Sequence, residues 1–175
     1  MKNIGILNAE VHKNLIQGIA GVVGRSNVPE HYIITSMQGN TTDKDMTWVK
    51  GFPRVIQTGK SGYLVQGDNV ETRCMFIGGA LLRNYIDAVV MPLSSVLDGD
   101  PIDPTVLIIP NFYSDLGESK APPSWKIQQM YDFLIHRITS GRQTVLGVSS
   151  VKSMTSTYGN LISSHIQATY FGVGQ

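Results

Sequence analysis

Three stretches of the chain carry residue types that could hold phosphate or act on it. The tripeptide Gly59-Lys60-Ser61 matches the end of the pattern Gly-x-x-x-x-Gly-Lys-Ser/Thr. In that pattern glycines let backbone amides close around phosphate oxygens, the lysine reaches the outer phosphates and the hydroxyl holds magnesium. The first glycine would fall at Arg54, however, and the Gly62-Tyr63-Leu64-Val65 that follows reads as a strand. A loop that runs into a strand cannot aim helix N-terminal amides at an anion. The tripeptide therefore reads as a decoy.

The second stretch has the right context and altered residues. A strand over 63–65 leads into Gly67-Asp68-Asn69-Val70-Glu71-Thr72-Arg73-Cys74 and then a helix. Gly67 stands at the first glycine, Thr72 at the second, Arg73 at the lysine and Cys74 at the magnesium-binding hydroxyl. Thr72 brings a β-branched side chain to a place where backbone must approach phosphate closely. Arg73 keeps the charge, but on a planar fork rather than a compact ammonium, and a thiol is a poor ligand for magnesium. Asp68 and Glu71 add negative charge where a triphosphate would lie. An ordinary strand–turn–helix corner would look the same.

The third stretch is the apolar run at 105–109, which ends in Pro110 and Asn111. Such a run reads as a buried strand of a parallel sheet. Phosphoryl-transfer enzymes place an acidic residue near there for magnesium, and neither Pro110 nor Asn111 can carry negative charge. Ser149 or Ser150, after the run at 144–148, could direct a hydroxyl at a bound phosphate. His165 falls where a late cation would assist. Being mostly neutral at pH 7, it reads instead as a satisfied surface or interface histidine.

The elements that must position these residues follow a regular rhythm from residue 62 onward. Strands are expected at 62–67, where the run passes into a turn, and at 87–91, 105–109, 144–148 and 168–173. Helices are expected at 71–85, 93–98, 124–140 and 155–165, with Ser124 as an N-cap and Gly141 as a C-cap residue. Alternating strands and helices imply a three-layer α/β domain with a mainly parallel five-stranded sheet. Before residue 61 the signals are less regular. Leu15, Ile16, Ile19, Val22 and Val23 suit an amphipathic helix ending near Gly24. Residues 31–37 have β character, 38–45 read as a polar loop, and Gly51-Phe52-Pro53 reads as a turn. The chain thus divides into an extension at 1–60 and a core domain at 61–175.

Bulk properties narrow the function classes. The chain has 175 residues, 42% of them hydrophobic, and a formal net charge of +1. That suits one globular domain and gives no global drive toward nucleic acid or membrane. The single cysteine, Cys74, excludes an internal disulfide and points to a reducing interior. No apolar span of membrane length and no signal peptide is evident, so a cytoplasmic protein is expected. The histidines, scattered at 12, 31, 136 and 165, offer no metal-ligand spacing.

Taken in order, residues 62–175 resemble the AAA+ domain of helicase loaders and their relatives, the DnaC/IstB-like P-loop ATPases. The resemblance rests on Lys60-Ser-Gly-Tyr-Leu-Val-Gln-Gly67, Ala88-Val-Val-Met-Pro-Leu-Ser-Ser-Val-Leu97, the Walker-B-like Pro104–Tyr113 segment and the helix, turn and strand of 130–146. It covers about two thirds of the chain and is carried by arrangement, since the catalytic positions depart at nearly every place. It implies a degenerate P-loop NTPase-like (AAA+/ASCE) domain. The implied protein is a DNA-replication accessory factor that binds a replicative helicase or related machinery without hydrolysing ATP. Small loaders of this kind occur on phages and other mobile elements. The corresponding nucleotide-site residues would be Gly67, Thr72, Arg73, Cys74, Asn111 and Ser149, with no cofactor required. Without a bridging nucleotide a monomer or dimer is expected.

Two alternatives stay open at this stage. An active but atypical ATPase, using ATP with magnesium, would need a carboxylate from Asp100, Asp103 or Asp115 near the tip of the 105–109 strand. Single-stranded DNA contact could come from Lys50, Arg54, Lys60, Arg137 and Arg142, with Trp48 and Phe52 stacking on bases. An ordinary solvated surface is the competing reading of that cluster.

Overall fold

The computed structural model describes residues 2–99, 102–115 and 122–173. Before the sheet come three helices, α1 (Lys13–Ser26), α2 (Glu30–Ile34) and α3 (Asp43–Val55). Strands β1 (Gly62–Gln66), β2 (Ala88–Val90), β3 (Val106–Tyr113), β4 (Gln143–Val148) and β5 (Tyr170–Phe171) then alternate with α4 (Val70–Arg83), α5 (Leu93–Leu97), α6 (Ser124–Thr139) and α7 (Val151–Thr169). The five strands form one sheet in the order β2-β3-β4-β1-β5, with every pairing parallel. The expected α/β class and five-stranded sheet are present.

Side chains alternate cleanly between two cores, as strands buried on both faces require. Tyr63, Val65, Val90, Val106, Ile108 and Val145 pack with α1 to α4 on one face. Leu64, Val89, Leu107, Ile109, Leu146 and Val148 pack with α5, α6 and α7 on the other. Residues ahead of β1 therefore belong to the same core as α4, and cover one face of the sheet.

The region before β1 departs from expectation. Residues 31–37 were expected to be extended, yet α2 is a helix. Its β-branched residues are overridden by tertiary packing: Ile33 is fully buried, and α2 lies so close to α4 that a Cβ on Gly79 would overlap the Tyr32 carbonyl oxygen. Arg83 satisfies the orphan carbonyls at the end of α2, its Nη1 donating to Tyr32, Ile33 and Thr35 oxygens at 3.0, 2.8 and 3.0 Å. The Gly51-Phe52-Pro53 turn is likewise the interior of α3. Proline and glycine there cost about 3 and 1 kcal/mol. Burial of Trp48, Val49, Phe52 and Val55 at helical spacing, each contributing about 1.5–3 kcal/mol, outweighs that cost.

Smaller differences follow local chemistry. Pro123, not Ser124, occupies the N-cap of α6, while Gly141 (φ 68°) takes the left-handed position after its C-cap. Helix α7 starts four residues earlier than expected, with Ser150 accepting from the Ser153 amide at 3.2 Å. It is interrupted at Gly159 (φ 79°, ψ −178°). At the sheet edge the Val90 carbonyl accepts from Asn27 Nδ2 at 3.0 Å, and at the opposite edge the Gly172 carbonyl accepts from Gln66 Nε2 at 3.1 Å.

The two glycine environments give opposite expectations. Gly79→Ala forces α2 off α4 and should destabilise by about 1–3 kcal/mol. Gly18→Ala lies on the open side of α1 and should stabilise by about 0.5–1 kcal/mol. Urea unfolding midpoints of the two variants check both signs.

Candidate functional site

Strand topology singles out one place for a site. Helix α4 leaves β1 toward one face, whereas α7 leaves the neighbouring β4 toward the other. Adjacent strands whose connections diverge open a crevice at their carboxyl ends, where ligands of open α/β sheets bind. A cleft of about 360 Å³ lies there, and Gly67, Thr72, Asn111 and Ser149 all line it. Glu71 and Tyr113 are also among the residues of its walls.

The β1–α4 corner is shorter than a phosphate loop. Gly67 (φ 95°) and Asn69 (φ 51°) turn the chain within three residues, and α4 begins at Val70. Thr72, Arg73 and Cys74 are therefore already helical. Amides of the first turn lack intrahelical acceptors, and Thr72 and Glu71 are exposed beside them. The helix rotates the next two residues away. Cys74 is fully buried, and burial pushes its thiol well above its usual pKa. As a neutral thiol in the core it cannot serve as a magnesium ligand.

Arg73 has a different assignment. Its fork grips Asp45 of α3 in two parallel bonds, Nε to Oδ2 at 2.8 Å and Nη2 to Oδ1 at 2.9 Å. Nη1 donates to the Gln66 carbonyl at 2.7 Å and to that of Asp68 at 3.4 Å, fastening the corner from inside. Asp45 is fully buried and also accepts from the Tyr63 hydroxyl at 2.8 Å and the Thr42 amide at 2.9 Å. Burial pushes this carboxyl up, but the bonds from Arg73, Thr42 and Tyr63 together hold it below its ordinary value of 3.8. The bonds to Asp45 raise Arg73 against its own burial. The charge expected at the cleft is thus neutralised behind it. Asp45 was missed because 38–45 read as loop. The signal was Thr42-x-x-Asp45, whose two ends cap each other reciprocally.

At the far wall, β3 runs past its expected end to Tyr113. Its register on β4 shifts, Ile109 pairing with Leu146 and Tyr113 with Val148, so Pro110 and Asn111 fall in an irregularity of the ladder. Proline can donate nothing to the sheet there. Asn111 turns its Oδ1 to the Leu93 amide at the start of α5, 3.3 Å away. Ser149 donates to Asp115 Oδ2 at 2.9 Å and accepts from the Asp115 amide at 3.0 Å. Tyr158 of α7 braces the wall by donating to the Phe112 carbonyl at 2.7 Å. His165 is half-buried between Tyr131 and Tyr170, with ring centroids at 5.7 and 6.2 Å, and burial lowers its pKa.

Several expected placements need correction. Asp103 precedes β3 and lies at the opposite end of the sheet from the cleft, paired with Arg137 at 2.7 Å and Arg142 at 3.2 Å. Of the two candidate carboxylates among the described residues, Asp115 is beside the cleft through Ser149 and Asp103 is not; Asp100 lies outside the described residues. Trp48 and Phe52, expected to stack on bases, are 4% and 3% exposed and meet edge to face at 5.4 Å in the core. Arg137 is buried as well. Lys50 and Arg54 are exposed one turn apart on α3. The Lys60 ammonium donates to the Ala168 carbonyl at 2.8 Å.

Among the described residues no group of three or more His, Cys, Asp or Glu is placed to hold a metal ion, and no helix is long and apolar enough to cross a membrane. No protein-family model, no curated protein and no solved structure matches the chain.

The buried pair sets a pH signature. Since the Asp45 carboxyl is held below its unfolded value, its contribution is complete above the ordinary carboxylate range and is lost as pH falls through it. Asp45→Asn should cost about 3–5 kcal/mol at pH 7 by leaving Arg73 buried and unpaired. It should also flatten the decline of stability between roughly pH 5 and pH 3. Chemical denaturation across that range checks both.

Proposed function

We propose that this chain is a DNA-replication accessory protein that acts by binding a replicative helicase or related machinery, on a P-loop NTPase-like domain that does not hydrolyse ATP. The observation that carries the reading is the position of Arg73: the residue aligned with the phosphate-binding lysine is committed to Asp45. Supporting it, the cleft stands at the crevice where a P-loop fold would take its ligand, yet Pro110 and Asn111 supply no carboxylate and Cys74 no metal ligand. Asp68 and Glu71 at the corner oppose a triphosphate. What remains is the scaffold of an ATPase with its charges redirected into structure.

One observation favours a second reading, an atypical ATPase. Asp115, held by Ser149 at the cleft, is the carboxylate such an enzyme would use.

Titration with ATP and ADP in the presence of magnesium, followed by thermal shift and calorimetry, separates the two. Ligand present at a hundredfold excess over its Kd would stabilise the fold by about 2.7 kcal/mol. The binding-protein reading expects no shift at millimolar nucleotide and a stable complex with a hexameric replicative helicase in size-exclusion chromatography. Magnesium-dependent turnover that disappears in Asp115→Asn would overturn it in favour of the enzyme.

A further inference from the structure

A groove of about 700 Å³ opens at the amino-terminal end of the sheet, away from the cleft. Asp87 and Thr105, which precede β2 and β3, lie in it, and so do Ile56 and Asn84, the C-cap residues of α3 and α4. Phe52 and Pro53 line it from α3, Tyr85 and Ile86 from the corner between α4 and β2. A second hollow of about 260 Å³ lies on the α1 side of the same corner, and Tyr85, Ile86 and Asp87 border it as well. The 85–87 segment thus separates two depressions.

Tyr85 occupies its place at a conformational cost. Helix α4 ends in a Schellman motif, with the Tyr85 amide donating to the Leu82 carbonyl and the Ile86 amide to that of Leu81, each at 3.0 Å. The backbone at Tyr85 is left-handed (φ 58°), a conformation that glycine adopts without strain and a residue with a Cβ does not. The tyrosine it carries is nevertheless 59% exposed. Its hydroxyl donates to the Val11 carbonyl at 3.0 Å and its ring stacks on His12, so the ring is held in one position. Ile56 in the same groove is 46% exposed, and Val11 67%. A fixed, exposed tyrosine among exposed aliphatic residues has the composition of a protein–protein contact.

Charge decides which partner fits. Lys50, on the α3 side of the groove, makes no ion pair among the described residues. Asp87, on the other side, pairs with Arg25 at 3.1 Å, and both side chains keep much of their surface in solvent. A polyanion such as nucleic acid would meet Asp87 and the carbonyl ends of two helices, all of which repel it. An apolar groove with a cation on one wall and a carboxylate on the other is instead complementary to a second copy of itself.

We propose that this face is a twofold interface between two copies of the chain. Tyr85 of each copy seats in the groove of the other, against Ile56, and Lys50 of each pairs with Asp87 of the other. Under twofold symmetry each such contact occurs twice. The dimer neither uses nor blocks the cleft, which lies at the opposite end of the sheet.

Sedimentation equilibrium tests the interface. The unmodified chain should show a dimer that dissociates on dilution. Tyr85→Gly suits the left-handed backbone and Ile56→Lys changes an exposed position. Each should raise the dimer dissociation constant by at least about tenfold and leave the circular dichroism spectrum native. Lys50→Asp and Asp87→Lys should each be monomeric alone and form a heterodimer when mixed, because mixing restores opposite charges in both pairs. A chain that stays monomeric at about 1 mM, where even a weak Kd is visible, would overturn the proposal. So would a dimer unaffected by all four substitutions, or charge variants that fail to pair on mixing. Binding of a labelled oligothymidylate that is lost in Lys50→Asp would overturn it too, and would give the face to nucleic acid.

Discussion

The bonded pair of Asp45 and Arg73 is the contact on which the region before β1 and the cleft both depend. One carboxylate takes two guanidinium bonds, a phenol and a backbone amide, while the same guanidinium closes the β1–α4 corner through Gln66. Bringing two charges out of water is costly, and such a pair repays it only when remaining lone pairs and protons are satisfied. Here they are, from three different elements. The pair thereby specifies which way α3 lies on α4, and Trp48 stacks on Tyr63 at 5.2 Å beside it.

That assignment also keeps the Arg73 charge out of the cleft. A phosphate site needs uncommitted donors and positive charge. The corner here starts its helix three residues beyond Gly67, so the residue that would carry the charge rotates onto the α3 side.

Where the sequence spoke clearly, periodicity and burial agreed. The strands of 62–66, 105–109 and 144–148 are apolar runs bounded by turn residues, and they occupy the middle of the sheet. Gly67, Thr72, Asn111 and Ser149 could be grouped because each stands near the carboxyl end of a strand or the start of the helix after it, at the same end of the sheet. Arg73 and Cys74 could not be separated from them by pattern alone, since the choice turns on where the helix begins. The α2 and α3 segments were obscured for a physical reason. Their local propensities favour extension or a turn, and only contacts with Gly79, Arg83 and the α3 apolar stripe reverse that preference. Strand order was beyond reach because nothing local encodes it.

The edges of the sheet bear on how the molecule can meet others. An outer strand normally offers free carbonyls and amides on which a visiting peptide can lengthen the sheet. Here a side-chain amide already sits on the Val90 carbonyl at one margin, and at the other the final strand spans only Tyr170–Phe171, with the Gly172 carbonyl just past it held by Gln66 of the neighbouring β1. The backbone is thus poorly suited to templating a foreign strand. Recognition is left to side chains on helices and loops, a mode in which surface substitutions can change partners without disturbing the hydrogen-bonded interior.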